Sequence, residues 1–238
     1  MKLSIIIPVY NEESTLTQVL QKLLSLSLPV DYEIIIADDG STDRTSEIVD
    51  SFKKEKIVKV HTSLINLGKG AAVRFGLEYA DGDYVIIQDA DLELNPEDFK
   101  PLLKPIIENG ADVVYGSRFK KGSVMRAKVP FVTILANKVM TSYTNLLYGG
   151  RITDMATAYK LIRTDVIRKL RLRCIGFEFE PEITAKLLRL GYKITDVPIS
   201  YNPRTVDEGK KIGWKDGLKY IYYLTKYRFA RKETFLKK

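Results

Sequence analysis

The sequence predicts an α/β protein with a mostly parallel central sheet flanked by helices, and three features carry that expectation. Apolar runs of strand length, rich in Ile and Val, recur at residues 3–9, 32–37 and 85–87. Each runs out into polar or acidic residues and then into a stretch of helical period, the order expected of βαβ units. Each run is mostly apolar rather than alternating, as a strand buried on both faces must be.

The first strand, 3–9, tolerates Pro8 at its end. Tyr10-Asn11-Glu12-Glu13-Ser14-Thr15 then leads into a helix marked by Leu16, Val19, Leu20, Leu23 and Leu24. Taken alone, Glu12 reads as an acid near the helix start that serves the dipole. Tyr10, at a strand end, can stack on a flat ligand. The second strand, 32–37, ends in Asp38-Asp39-Gly40-Ser41-Thr42-Asp43. Ser41, Thr42 and Asp43 suit the cap of the next helix, and Asp38 can accept hydrogen bonds from a base or ribose. A short strand at 56–61 contains the only histidine, His61, which reads as structural.

Asn66-Leu67-Gly68-Lys69-Gly70 opens a helix over 71–79. Its glycines permit close backbone approach, and a helix N-terminus favours anions. Neither nucleotide fingerprint is present, because Val73 stands where a dinucleotide site needs a small residue and Gly70 where a P-loop needs Ser or Thr.

Asp81-Gly82-Asp83 precedes the third buried strand, which delivers Asp89-Ala90-Asp91-Leu92-Glu93 at its carboxyl end. In open α/β sheets that is where ligands bind. Two carboxylates one residue apart repel each other unless a cation or donors lie between them. Mg²⁺ or Mn²⁺ suits such an all-oxygen site. Asn95-Pro96-Glu97-Asp98 starts a helix that ends near Asn109-Gly110. A strand at 111–116 delivers Arg118, placed to grip a phosphate bidentately. A basic loop follows at 119–129. Residues 131–148 are helical in pattern and either core or laid against lipid headgroups. Strands at 157–162 and 193–201 bracket a helix begun by Glu180-Pro181-Glu182. Arg204 opens a polar loop through Gly213 whose Lys210 and Lys211 read as a phosphate clamp.

Composition sets bounds. The chain has 238 residues, 45% apolar and 29% charged, which suits one large domain. One cysteine, Cys174, excludes an intramolecular disulfide and points to a reducing, cytoplasmic setting. Residues 1–2 lead straight into a strand, so no signal peptide is expected, and no apolar run is long enough to span a bilayer. From Arg204 to Lys238, eleven Lys/Arg face four Asp/Glu, so +7 of the net +8 lies there. The expected division is therefore a domain at 1–213 and a basic, aromatic helix and tail at 214–238 that lies on a membrane surface.

Taken together and in order, Ile6-Ile7-Pro8-Val9-Tyr10-Asn11-Glu12, Asp38 to Asp43, Asn66 to Gly70, Asp89-Ala90-Asp91 and Gly116-Ser117-Arg118 resemble the family-2 glycosyltransferases with the GT-A fold. Within that family the chain is most similar to the dolichyl-phosphate mannose and glucose synthases, over roughly residues 1–225. The resemblance implies that Pro8, Tyr10, Glu12, Ile36, Asp38, Lys69, Asp89 and Ala90 bind the nucleotide sugar. It implies that Asp89, Asp91 and Glu93 hold Mg²⁺ or Mn²⁺, that Asp91 and Arg118 are catalytic, and that Arg118, Arg204 and Lys210 grip the donor diphosphate and acceptor phosphate. Glutamine is common in the mannose-synthase group where Glu93 stands. The reaction so implied is inverting transfer of a hexose, with GDP-mannose the first choice of donor and UDP-glucose or UDP-N-acetylglucosamine next, to a polyprenyl phosphate. The expected place is the cytoplasmic face of a membrane, held peripherally or through a membrane-protein partner. Nucleic-acid binding is not expected. Two other readings stand beside it. One is the same fold acting on a glycan hydroxyl, which needs a carboxylate base from Asp154, Glu180 or Glu182. The other is a nucleotide-sugar binding protein without turnover.

Overall fold

A seven-stranded sheet runs through the middle of the computed structural model, which describes residues 1–127, 129–204 and 214–237. Four parallel strands form its first half: β1 (Lys2–Val9), β2 (Asp31–Asp38), β3 (Val58–Thr62) and β4 (Tyr84–Ile87). Helices α1 (Leu16–Leu24), α2 (Thr45–Phe52) and α3 (Lys69–Tyr79) make the crossovers. The second half adds α4 (Phe99–Asn109), β5 (Val113–Ser117), the short β6 (Val124–Met125), α5 (Phe131–Tyr148), β7 (Lys160–Arg163), α6 (Thr164–Lys169), α7 (Phe179–Arg189), β8 (Ile194–Pro198), β9 (Ser200–Tyr201) and α8 (Trp214–Phe229). The order across the sheet is β3-β2-β1-β4-β7-β5-β8. β8 is parallel to β5, while β7 runs antiparallel to both β4 and β5. The expected strand at 193–201 is two strands, and β9 leaves the sheet to pair with β6.

Both faces of the sheet are covered, which explains the unbroken apolar runs. Ile5, Ile7, Ile34 and Ile36 pack beneath α1, α2 and α4. Ile6, Ile35, Val85 and Ile87 pack against α3, α6 and α7.

The segment 214–237 is packed into this body, so the expected break at 213 is not a break in the packing. Tyr220, Leu224 and Tyr227 repeat at helical spacing and bury one stripe of α8 against Ile152, Met155, Ala185 and Phe235. The chain end is then paired back to the loop after α6. Arg171 N–H donates to the Phe235 carbonyl at 2.6 Å, and Lys237 N–H to the Lys169 carbonyl at 2.8 Å.

Candidate active site

The strand order reverses at β1 and β4, and the crevice beyond their carboxyl ends is where an open α/β sheet binds ligands. A cleft of about 400 Å³ opens there. Pro8, Tyr10 and Glu12 reach it from β1, Lys69 from the start of α3, and Asp89, Ala90, Asp91 and Glu93 from the turn after β4. Arg118, Arg204, Tyr201 and Glu180 close it from the second half of the chain.

The turn after β4 is held on several sides. Thr15 Oγ1 donates to the Ala90 carbonyl at 2.7 Å. Gln88 Nε2 donates to the Asp89 carbonyl at 2.8 Å, and Gln88 Oε1 accepts from the Tyr159 hydroxyl at 2.6 Å. Asp91 Oδ1 accepts from Glu93 N–H at 3.0 Å, and Leu92 between them has a φ of 61°. A leucine in the left-handed region costs on the order of 1–2 kcal/mol. The surrounding contacts therefore impose this turn on the chain.

Among the described residues, each of the three cations expected in the site, Lys69, Arg118 and Arg204, has a carboxylate partner. Lys69 Nζ lies 2.8 Å from Asp89 Oδ1 and 3.1 Å from Glu180 Oε1, and Lys160 pairs with the other Glu180 oxygen. Burial alone would lower the Lys69 pKa, but Asp89 and Glu180 hold it raised. Arg118 forms a two-pronged pair with the fully buried Asp154 at 2.7 and 2.8 Å, and its guanidinium lies 5.1 Å from the Tyr201 ring centroid. Arg204 pairs with Glu12 at 2.9 Å, and its Nε–H donates to the Asp91 carbonyl at 2.8 Å.

Asp91 is the exception in this balance. Burial, and then repulsion from Asp89 and Glu93, push its carboxyl up to about 7. That surplus of negative charge fits a divalent cation, which would remove the repulsion. Among the described residues no three His, Cys, Asp or Glu side chains converge as a cage. The remaining ligands would then come from water and a substrate diphosphate.

Several expectations are corrected by position. Ile36 is core, packed under the helices and away from the cleft. Asp38 is fully buried and accepts from Ser41 N–H, Ser41 Oγ and Ser46 Oγ, so it organises its own turn. Its neighbour Asp39 lines the cleft and accepts from Gly68 N–H at 2.6 Å and Leu67 N–H at 3.0 Å. The alternation of β2 carries that signal. Ile34, Ile36 and Asp38 share one face, and Asp39 belongs to the other. Glu93 gives both oxygens to the strand that follows β8, accepting from Arg204 N–H at 2.8 Å and the Tyr201 hydroxyl at 3.2 Å. It does not join Asp89 and Asp91 in a ligand cluster.

Gly68 and Gly70 permit close approach, but to protein. An added Cβ at these positions would lie 2.6 Å from the Ile175 carbonyl oxygen and 2.5 Å from that of Cys174. Of the three spare carboxylates, Glu182 lies outside the cleft, bound to Lys186, Tyr227 and the Cys174 amide. Lys210 lies outside the described residues. Tyr220 also lines the cleft, a residue that composition had assigned to a surface tail.

Comparison with known proteins adds to this geometry. The family model described as Glycosyl transferase family 2 matches residues 4–171. A dolichol-phosphate mannosyltransferase of Pyrococcus furiosus is 33% identical over 232 residues. That alignment takes in 95% of this chain and 64% of the relative, so the chain spans less than two thirds of its length. A polyprenol monophosphomannose synthase of Mycolicibacterium smegmatis is 29% identical over 217 residues, or 88% of this chain and 80% of that protein. Among solved structures, the glucosyl-3-phosphoglycerate synthase of Mycobacterium tuberculosis with Mn²⁺, UDP and phosphoglyceric acid superposes with a TM-score of 0.73 at 20% identity. It covers 97% of this chain and 79% of that one. The same enzyme with Mn²⁺, UDP-glucose and phosphoglyceric acid gives 0.71 at 21% identity, covering 95% and 79%. The solved structures, unlike the two sequence relatives, correct the expected reaction of GDP-mannose with a polyprenyl phosphate. The solved structures that span nearly the whole chain carry UDP-glucose and phosphoglyceric acid instead.

Proposed function

The chain belongs to glycosyl transferase family 2, and on that premise we propose that it moves a hexosyl group from a nucleotide sugar, UDP-glucose first, to a hydroxyl of its acceptor. The observation that carries this reading is the paired charge around one cleft. Asp89 and Asp91 are crowded together beside Lys69, Arg118 and Arg204 around the crevice beyond the carboxyl ends of β1 and β4, and the crowding helps push the Asp91 carboxyl up to about 7.

In this reading Pro8, Tyr10 and Asp39 form the nucleotide end of the cleft, where Tyr10 offers a ring and Asp39 an acceptor. Asp89 and Asp91 would hold Mg²⁺ or Mn²⁺, which the solved relatives carry beside UDP. Bound there, the cation screens charge building on the departing nucleoside diphosphate. Lys69 stands between Asp89 and Glu180 and can turn its ammonium to the same diphosphate. Arg118 keeps N–H donors beyond the two that Asp154 takes, and Tyr201 supports the guanidinium plane. Glu180 is held below the usual carboxylate range by Lys160 and Lys69, against the effect of burial. It therefore anchors Lys69 and is a poor proton acceptor. Asp154, Glu180 and Glu182 are all held in ion pairs, so the acceptor hydroxyl passes its proton to the oxygens of the departing nucleoside diphosphate. Catalysis otherwise rests on positioning and preset charge. A peripheral place at a membrane belongs to the same reading, supported by the net charge of +8.

The test is a donor and acceptor screen. With Mn²⁺ present, UDP-glucose, UDP-N-acetylglucosamine and GDP-mannose are each offered with phosphoglyceric acid or a short oligosaccharide. UDP release with a glycosylated hydroxyl product by mass spectrometry is expected. Asp91→Asn should lower kcat by at least about 100-fold. Donor binding without diphosphate release to any hydroxyl acceptor would favour a binding protein without turnover.

A further inference from the structure

Helix α5 carries apolar residues on both of its faces. A helix on a globular domain turns its apolar stripe inward. Here Met140, Tyr143, Leu147 and Tyr148 do so, packed against the core with polar side chains among them. Thr133 and Asn137 line the cleft. Thr141 Oγ1 accepts from Met155 N–H at 3.1 Å, and Asn145 exchanges two hydrogen bonds with the Ile152 backbone, at 2.8 and 3.1 Å. The only buried residues of the helix are Thr141 and Thr144. The opposite face presents Phe131 at 75% exposure, Val132 at 75%, Leu135 at 49%, Val139 at 55% and Leu146 at 82%. Their spacing puts them on one stripe. Scattered exposed apolar residues need no explanation, but a continuous stripe marks an interaction surface.

The charge around that stripe indicates its occupant. Residues 113–153 contain no Asp or Glu and seven Lys/Arg. Lys138 lies on the exposed side of α5. The acid that ends this stretch, Asp154, is buried and spent on Arg118. An apolar stripe on a stretch of chain that carries cations and no acid complements anionic headgroups over acyl chains. A second copy of the chain would bring like charge against like.

We propose that the outer face of α5 docks on an anionic lipid surface, with the cleft edge formed by Thr133 and Asn137 held beside it. The proposal rests on the peripheral placement above and names its surface. It places the contact on α5 rather than on α8, which buries Tyr220, Leu224 and Tyr227 and leaves Leu218, Tyr222 and Phe229 exposed as the competing surface.

Flotation of the full chain with vesicles tests it, using phosphatidylcholine alone or with about a third phosphatidylglycerol. The assay contains no sugar donor or acceptor, so its outcome is independent of the catalytic reading. Wild type should float with the anionic vesicles and not with the neutral ones. Phe131→Ser/Val132→Ser should reduce the bound fraction at least tenfold with an unchanged melting temperature. Lys138→Glu should reduce it and make what remains less sensitive to salt. If wild type ignores anionic vesicles, the face and the peripheral placement both fall. If wild type floats and the double variant floats equally, attachment lies elsewhere and the α5 face falls alone. A dimer in solution that the double variant dissociates would also overturn the proposal.

Discussion

Lys69 stands where a cation is needed. Its ammonium neutralises Asp89 from 2.8 Å, while the carboxyl of Asp91, two residues on, is pushed up to about 7 by burial and by the neighbouring carboxylates. Replacing Lys69 with Met should therefore tighten Mn²⁺ binding to the free protein, by about tenfold for each 1.4 kcal/mol of repulsion left unrelieved. Isothermal titration with Mn²⁺ alone measures this. An unchanged or weaker affinity would show that Lys69 does not hold Asp89 against the metal. The aspartate pair gives a second prediction at this scale. Asp38→Asn replaces one of its two accepting oxygens with an amide nitrogen, so either Ser46 Oγ or both Ser41 donors lose their acceptor inside a closed turn. It should cost about 1–3 kcal/mol of stability with UDP affinity kept within about twofold. Asp39→Asn should weaken UDP binding, and Kd values beside thermal melts separate the two. Asp38, Asp39, Asp89 and Asp91 were all visible in the sequence as acids at strand ends. What composition could not assign was which of the first pair faces the ligand, because that depends on strand phase and on which helix lies over which face.

At the scale of elements, α8 is the one whose place changed most. Its aromatic and basic residues suggested a surface helix, yet Leu224 is fully buried and Tyr220 reaches the cleft. Leu224→Ala should cost about 2–5 kcal/mol, and ending the chain at 213 should give an aggregating product. A stable, monomeric 1–213 fragment by size exclusion and melting would sink that expectation. The periodicity of α8 was legible, but its partner was not. Ile152, Ala185 and Phe235 come from three separated segments, and no local pattern joins them. Strand β7 was missed as antiparallel for a related reason. A buried strand reads apolar in either direction, and only the connection tells them apart. The start of α3 yields a further prediction. A Gly70→Ala methyl would lie 2.5 Å from a backbone oxygen, so either α3 or the loop at 174–176 must shift. Lys69 would move with α3, and UDP affinity should fall more than tenfold. Retention of wild-type affinity and stability would mean the packing is slack.

At the scale of the whole molecule, function and stability occupy opposite ends of the sheet. The cleft lies at the carboxyl ends of the strands. At the amino end the buried Glu33 accepts from Ser4 Oγ at 2.7 Å, Lys2 Nζ at 2.7 Å and Asp81 N–H at 2.6 Å, with Lys59 at 3.0 Å. Burial by itself would raise this carboxyl, but those donors hold it at about 2, below its ordinary 4.5. A depressed folded-state pKa contributes stability that is fully present above 4.5 and lost as pH falls towards 2. The melting temperature should therefore drop through that window, and Glu33→Gln should flatten the drop at the cost of stability near neutrality. An identical pH slope in the variant would assign acid sensitivity to other groups. The overall architecture was legible, because doubly buried strands and their βαβ connections leave a local imprint. The pairing of charges across the cleft was not, because each pair joins distant segments, Arg204 with Glu12 and Arg118 with Asp154.

The antiparallel β7 also has a temporal meaning. Strands β1 to β4 pair only with one another over the first 87 residues, whereas β5 reaches that ribbon solely through β7. The amino-terminal half can thus assemble while the rest of the chain is still being made, and β7 is the joint at which the later half is recruited. The acidic residues after β4 belong to the early half, but Tyr159 and Arg204, which help set their turn, come from the later one, as do Arg118 and Glu180. The charge-balanced cleft is therefore complete only when both halves have met at that joint.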